Sequence, residues 1–353
     1  MGTPCSIYLK CDYNKRSCCA NGAAWLQAWC AAFENMSRHR WLTPWLDASL
    51  GSTPLLIGDL ILTENLKEKD FKKACDALEE KFEVTKKIIH FRLTAGMKPD
   101  NFSLPAYFSR IGFHGAVSAD FATLKRMMRC QLFSVPFENL DVQQGKVVSF
   151  VQEEIYRKIV DRNRGGYCYE VNGLFAMALE ALGISWQFVA ARPMTYPVRR
   201  PKTHMAIVVT IEGELWLFDL GFGSYGIREP VNLNWLDREI SQDYETFKLT
   251  ISPERDYLLQ SLSDGVWTNL YEFNLSPQEW VDFEPANYLN SMHPDSIFVR
   301  SLMVVMQNPS GKDVLIGERF KSVSAGRTTG WTVRREDIPK LLQQKFSLRN
   351  LNE

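Results

Sequence analysis

The sequence predicts an α+β protein, and three observations taken in chain order predict it. From about Asp100 to Leu182 the apolar residues recur at helical spacing. From about Ser185 to Phe283 the chain is strand-rich, with a Gly-containing turn between two of its apolar runs. From Pro285 onward short strand-like runs precede a closing helical pattern. Helices first, strands next and a small mixed region last is the order of segregated layers rather than of alternating β and α units.

The elements follow in order. Before Gly96, Trp25, Leu26, Trp29 and Phe33, and later Phe71, Ala74, Leu78 and Phe82, keep helix-like spacing. The mixed Lys and Glu of residues 66–89 read as a solvated helix face. This is a partly helical extension, residues 1–96. Its Met1-Gly2-Thr3-Pro4-Cys5-Ser6 fits the short myristoylation pattern. Cys5, Cys11, Cys18, Cys19, Cys30 and His39 do not have the paired spacing of a standard zinc site. After it, Leu104, Tyr107, Phe108 and Ile111 mark one helix, residues 122–132 a second and residues 153–162 a third. Val171, Leu174, Phe175, Ala178 and Leu182 mark a fourth, stopped at Gly183. Strands are expected over residues 186–190, 205–211, 215–219, 247–251, 270–273, 298–306 and 314–320, with a closing helix over 338–346. Glu212-Gly213 reads as the turn of a hairpin.

Composition bounds the function. Forty-one basic and 41 acidic residues give a formal net charge of zero, with no basic stripe or aromatic–basic signature, so nothing points to nucleic acid. No apolar run is long enough to span a membrane, and no apolar signal core opens the chain. Of eight cysteines only Cys168 lies beyond Cys130, and no disulfide framework is evident. A reactive thiol without such a framework fits the reducing cytoplasm.

The chemistry starts at Cys168, in Arg164-Gly165-Gly166-Tyr167-Cys168-Tyr169-Glu170-Val171-Asn172-Gly173. Two glycines are expected to permit an unusual turn, and a helix begins directly after it. Unpaired N–H groups and the dipole at a helix start favour a thiolate. A nucleophile needs a base and the base an orienting group. Among five histidines, His204 opens the first strand of the hairpin. A two-residue turn pairs Ile211 with Glu214 and carries His204 opposite Gly221, so Asp219 projects from the same face as a diagonal neighbour. A buried structural cysteine, and an unrelated edge histidine and turn aspartate, are the plain alternatives.

These residues, together with Val-Pro-Phe-Glu-Asn-Leu-Asp-Val (135–142), Phe-Asp-Leu-Gly-Phe-Gly (218–223) and the stretch at 287–298, closely resemble the arylamine N-acetyltransferases over roughly residues 97–353. The resemblance implies a papain-like Cys-His-Asp arrangement on Cys168, His204 and Asp219. It also implies ping-pong transfer from acetyl-coenzyme A through a cysteine thioester, and arylamine, hydrazine or N-hydroxyarylamine acceptors. No tightly bound cofactor and no metal are implied. Glu138 and Arg164 look like a supporting pair beside the site. The implied fold is a helical bundle (97–183) carrying the nucleophile, a β-barrel (184–284) carrying His and Asp, and a small α/β lid (285–353). Arg199, Arg200 and Lys202, in a proline-flanked loop before His204, are candidates for the coenzyme's phosphates. Gly221 and Gly223 are candidates for close backbone approach to the thioester; a merely solvated basic loop is the alternative. Other readings of the same residues are a different acyl donor or acceptor, such as malonyl transfer or amide synthesis, a cysteine protease or transglutaminase-type enzyme, and a non-catalytic binding protein.

Overall fold

The computed structural model describes residues 96–348. The helical extension, the acylation pattern and the cysteine cluster before Gly96 lie outside the described residues.

The helices begin where their caps stand. Ser103 accepts from the backbone of Ala106 at the start of α1 (Leu104–Ile111), and Gly112, at φ 65°, ends it. Asp120 caps α2 (Phe121–Ser134) through a 2.7 Å bond from Thr123 N–H. After the short α3 (Leu140–Gln143), α4 (Gln152–Tyr156) runs on into a π-helical turn, Arg157–Asp161. The long α5 (Cys168–Ala181) is buried on all sides from Cys168 to Leu179, and Gly183, at φ 67°, lies just past its end. The apolar spacing in the sequence therefore marks one face of a helix that is buried throughout. Its polar residues Glu170 and Asn172 lie inside as well.

Eight antiparallel strands form one sheet. They are β2 (Trp186–Pro193), β3 (His204–Ile211), β4 (Glu214–Phe218), β5 (Val231–Asn232), β6 (Ile240–Gln242), β7 (Glu245–Ile251), β8 (Tyr257–Ser263) and β9 (Val266–Phe273). Their order is β5-β4-β3-β2-β9-β8-β7-β6. The β3–β4 hairpin has the expected register, Ile211 opposite Glu214, because Glu212 and Gly213 both take positive φ (53° and 83°), as a type I′ turn requires. At the two ends of the sheet a side chain does what a ladder would do. The buried Gln242 of β6 accepts from the N–H groups of Arg228 (2.7 Å) and Glu229 (3.0 Å), and donates to the Glu229 carbonyl (2.9 Å), just before β5.

A second sheet has the order β1-β10-β11-β12-β13, built from β1 (Phe137–Glu138), β10 (Met303–Asn308), β11 (Gly311–Ile316), β12 (Arg319–Ser324) and β13 (Arg327–Thr332). It is preceded by α6 (Glu284–Met292) and α7 (Ile297–Arg300) and followed by α8 (Ile338–Phe346), whose Leu341, Leu342 and Phe346 pack on Leu315 and Phe320. Two expected strands are corrected here. Residues 298–300 are helical, because Ser296 caps α7 through the Phe298 N–H, and the strand starts at Met303. Residues 314–320 are two strands, because Gly317, at φ 57°, turns the chain between β11 and β12.

This C-terminal region is tied to the rest of the body. Asn139 donates to the carbonyls of Phe298 (2.7 Å) and Ser301 (2.8 Å) and accepts from Met303 N–H (2.7 Å). Arg228, 1% exposed, bonds Asp243 (2.7 Å), Gln307 (2.8 Å) and the carbonyls of Gly311 (3.1 Å) and Asn308. A buried guanidinium is tolerated only with its donors satisfied in this way.

Candidate active site

Cys168 is the first residue of α5, His204 the first of β3, and Asp219 follows β4. The structure brings the three together in a buried position: Cys168 is 3% exposed, His204 4% and Asp219 0%. His204 Nε2 lies 2.8 Å from Asp219 Oδ2. A carboxylate only accepts, so Nε2 carries the hydrogen and Nδ1 is the ring nitrogen left over, with Cys168 near enough to act on the ring. Burial by itself pulls the imidazole's pKa down. The Asp219 charge, its hydrogen bond and Cys168 outweigh that and raise it to about 10.

The turn before Cys168 is built by close approach rather than by unusual backbone angles. Neither Gly165 nor Gly166 has a positive φ, contrary to the expectation from sequence. A Cβ on Gly165 would instead lie 2.0 Å from the Pro136 carbonyl oxygen, and one on Gly166 2.6 Å from Glu170. The two segments pair as a short parallel bridge: Gly166 N–H donates to Pro136 O (3.2 Å) and Glu138 N–H to Gly166 O (3.0 Å). Gly221 follows the same logic on the far side, where a Cβ would stand 2.5 Å from Cys168 Cα. Gly223 takes φ 65° and starts a turn of 3-10 helix. Both glycines are thus needed by the protein's own backbone.

Beneath the turn lies a charge network of which only the Glu138–Arg164 pair is expected from sequence. Arg164 binds Glu138 (2.8 Å) and Asp141 (3.2 Å). Lys158 binds Asp141 (2.5 Å) and Glu170 (2.6 Å) and lies 3.8 Å from Glu138. Glu170 also accepts from Tyr167 N–H (3.0 Å), fixing the start of α5. Three carboxylates share two cations. Against the cost of burial, Lys158 is raised because it answers to all three, and Asp141 is lowered by Lys158 and Arg164. Glu170 moves the other way for an acid: burial pushes it up to about 7, and Lys158 only partly offsets this. The two partners of one ion pair therefore both rise, for different reasons. Asp141, Lys158 and Glu170 escape sequence reading because their partners are contributed by separate turns of chain.

Aromatic rings close around the imidazole. Phe222 and Tyr271 stand 4.9 and 5.1 Å from His204, ring to ring, and 4.8 Å from each other. The buried Tyr271 hydroxyl has no partner in good hydrogen-bond geometry, while burial first, and then the Asp219 charge, hold its ionisation well above the usual phenol range. The basic loop is largely engaged. Arg199 meets Glu272 (3.1 Å) and Glu254 (3.4 Å), Lys202 lies 3.9 Å from Asp256, and Arg200 stacks on Tyr196 at 5.1 Å. Among the described residues no group of three or more His, Cys, Asp or Glu side chains could hold a metal. No helix among them is long and apolar enough to cross a membrane.

Comparison with known proteins gives the same direction from each side. A family profile described as N-acetyltransferase matches residues 120–352. The arylamine N-acetyltransferase of Mycolicibacterium smegmatis is 33% identical over 233 residues, which is 64% of this chain and 84% of that protein. The arylamine N-acetyltransferase / N-hydroxyarylamine O-acetyltransferase of Salmonella typhimurium is 29% identical over 252 residues, 69% of this chain and 88% of the relative. In structure, the Mycobacterium marinum arylamine N-acetyltransferase in complex with CoA superposes with a TM-score of 0.66 at 28% identity, covering 70% of this chain and 93% of that one.

The Glu170 carboxyl fixes a pH dependence of stability. Its folded value, about 7, lies above its ordinary 4.5, so its contribution is complete below that ordinary value and is lost as pH rises through about 7. Urea unfolding of the protein and of Glu170→Gln should diverge accordingly. The native chain should lose on the order of 1–3 kcal/mol relative to the variant between about pH 4.5 and 8. A native chain that gains over the variant across that window contradicts the assignment.

Proposed function

The chain belongs to the arylamine N-acetyltransferase family, and from that membership we propose how its residues carry out the transfer. It is an acyltransferase that moves the acetyl group of acetyl-coenzyme A to arylamines and to the oxygen of N-hydroxyarylamines. Arylhydrazines belong to the same acceptor class by their nucleophilic nitrogen.

Cys168 is the nucleophile. At rest His204 Nδ1 already holds the thiol's proton, leaving a thiolate–imidazolium pair; Sγ then forms a bond to the acetyl carbonyl carbon, and the bond to the coenzyme sulfur breaks. The leaving thiolate receives that proton from His204. The acceptor nitrogen then attacks the Cys168 thioester, His204 removes its proton, and the Cys168 sulfur leaves as the thiolate. Asp219 keeps the imidazole in the Nε2–H form and balances its charge. The Cys168 N–H, at the helix start, is the donor for the oxyanion. The observation that carries this reading is the buried His204–Asp219 bond of 2.8 Å, with the buried Cys168 thiol near enough to act on the same ring. Glu138 and Arg164 act by holding the turn that presents the thiol.

We divide the chain into a helical part (97–183), a barrel (184–284) and an α/β part (285–353), the last described as far as residue 348. The barrel is closed by the Gln242 amide; a crystal structure with that amide facing solvent would remove the closure. The papain-like arrangement is the thiol on a helix start facing a histidine on a strand. A free thiol needs reducing surroundings, so we assign the enzyme to the cytoplasm, which cell fractionation checks.

With acetyl-coenzyme A and no acceptor, peptide mapping should find one acetyl group on the Cys168 peptide, absent in Cys168→Ser. In Asp219→Asn, folded as the native protein is, the adduct should form at least about 100-fold more slowly, because the amide favours the wrong tautomer. An adduct elsewhere, or full activity in Cys168→Ser, overturns the assignment.

For the coenzyme, we assign the phosphates to the loop of Arg199, Arg200 and Lys202, with Gly221 and Gly223 beside the thioester. Arg199 and Lys202 must exchange their carboxylate partners for phosphate, whereas Arg200 has only to leave Tyr196. Replacing all three with alanine should weaken acetyl-coenzyme A use and its salt sensitivity while sparing p-nitrophenyl acetate, which has no phosphate. Equal loss with both donors would assign the loop to folding instead.

A further inference from the structure

Asn172 is fully buried in α5, one helical turn after Cys168 and therefore on the same face. A buried amide in an apolar helix needs partners, and it has three. Its Nδ2 donates to the carbonyl of Met205 (2.7 Å), the residue after His204, and to Asp219 Oδ1 (3.2 Å). Its Oδ1 accepts from Leu220 N–H (2.9 Å), the residue after Asp219. One side chain on the nucleophile's helix thus grips the strand of the base and the loop of the orienting acid.

The oxygens of Asp219 divide their work. Oδ2 serves His204, while Oδ1 accepts from Asn172 and from Gly221 N–H (2.9 Å). The terminal torsion of an aspartate is soft and nearly two-fold, so a carboxylate held by His204 alone would turn about that axis. Two donors on the other oxygen fix its plane.

We propose that Asn172 is a positioning residue for acyl transfer, holding Asp219 and the His204 strand in register with Cys168 through its amide donor. The proposal rests on the reading of Cys168, His204 and Asp219 as the reacting triad. A misplacement of the order of 1 Å in such a constellation costs about 100-fold in rate.

The test compares the native protein, Asn172→Ala, Asn172→Asp and Cys168→Ala. The rate of Cys168 acetylation by p-nitrophenyl acetate is measured at about pH 8 and about pH 5.5, with near-ultraviolet circular dichroism as the control for folding. Asn172→Ala should be about 100-fold slow at both pH values relative to the native protein, with the KM for acetyl-coenzyme A changed less than about threefold. Asn172→Asp should be equally slow at the higher pH, because a carboxylate there cannot donate. Its rate relative to the native protein should recover at least about tenfold at the lower pH. Two buried carboxyl groups side by side share a proton, and the shared proton restores the contact with Asp219. A merely structural role does not produce this recovery. If both Asn172 variants fold and stay within about threefold of the native rate at both pH values, the proposal is overturned. It is equally overturned by a flat Asn172→Asp ratio or by variants that remain unfolded at both. If Cys168→Ala still transfers acetyl groups, the triad reading itself fails, whatever the Asn172 variants do.

Discussion

The backbone at Gly221 lies so close to Cys168 that a β-carbon there would stand 2.5 Å from the cysteine's Cα. That contact joins a helix to a hairpin, and the rest of the site depends on it. The same kind of contact recurs at Gly165 against the Pro136 backbone, while Gly166 leaves room for the Glu170 side chain. Cys168 is therefore held between two backbone segments, one on each side, each approaching at a glycine. With the segments locked, Asp219 needs no long side chain to reach His204, and His204 none to reach the thiol. Side chains in contact at this density leave little room for rotation, so the geometry is carried by packing before any charge is considered.

Electrostatics completes what packing begins. Buried charges are costly unless each has partners, and removing one member exposes the others to that cost. The Glu138, Asp141, Lys158, Arg164 and Glu170 network places its cations against the very turn that carries Cys168, so turn and network stand or fall together. The excess of one acid over the cations is met by Glu170, whose carboxyl is the one pushed up to about 7. On the other side of the thiol, the His204–Asp219 pair has no such excess: one carboxylate faces one imidazole, with Asn172 and Gly221 N–H on the remaining oxygen.

Much of this was legible in the sequence, and the reasons differ by residue. The register of the β3–β4 hairpin follows from two turn residues, so the His204–Asp219 proximity could be worked out from spacing alone. Helix limits at Leu104, Ile111 and Phe346 follow from caps and apolar period. The strand limits at Met303 and Gly317 did not, since a short helix and a tight turn interrupt runs that look continuous by composition. The double glycine was noticed for the wrong physical reason: local sequence offers backbone freedom as the usual meaning of glycine, whereas here the meaning is close approach, by the distant Pro136 at Gly165 and by the Glu170 side chain at Gly166. Lys158 and Asp141 carried no signal, because their role appears only when two segments meet. Asn172 did carry one, a polar residue four positions after the cysteine in an apolar helix.

His204 is held as a charged imidazole, with its Nε2–H on Asp219 and a second hydrogen on Nδ1. Nitrogen-15 spectra of the histidine ring read this directly, with His204→Gln to assign the signal among the five histidines. Both ring nitrogens should carry hydrogen through neutral pH, and the ring should lose its charge only as the pH approaches about 10. A ring that is neutral at about pH 8, with the ordinary histidine titration near 6.5, would contradict it.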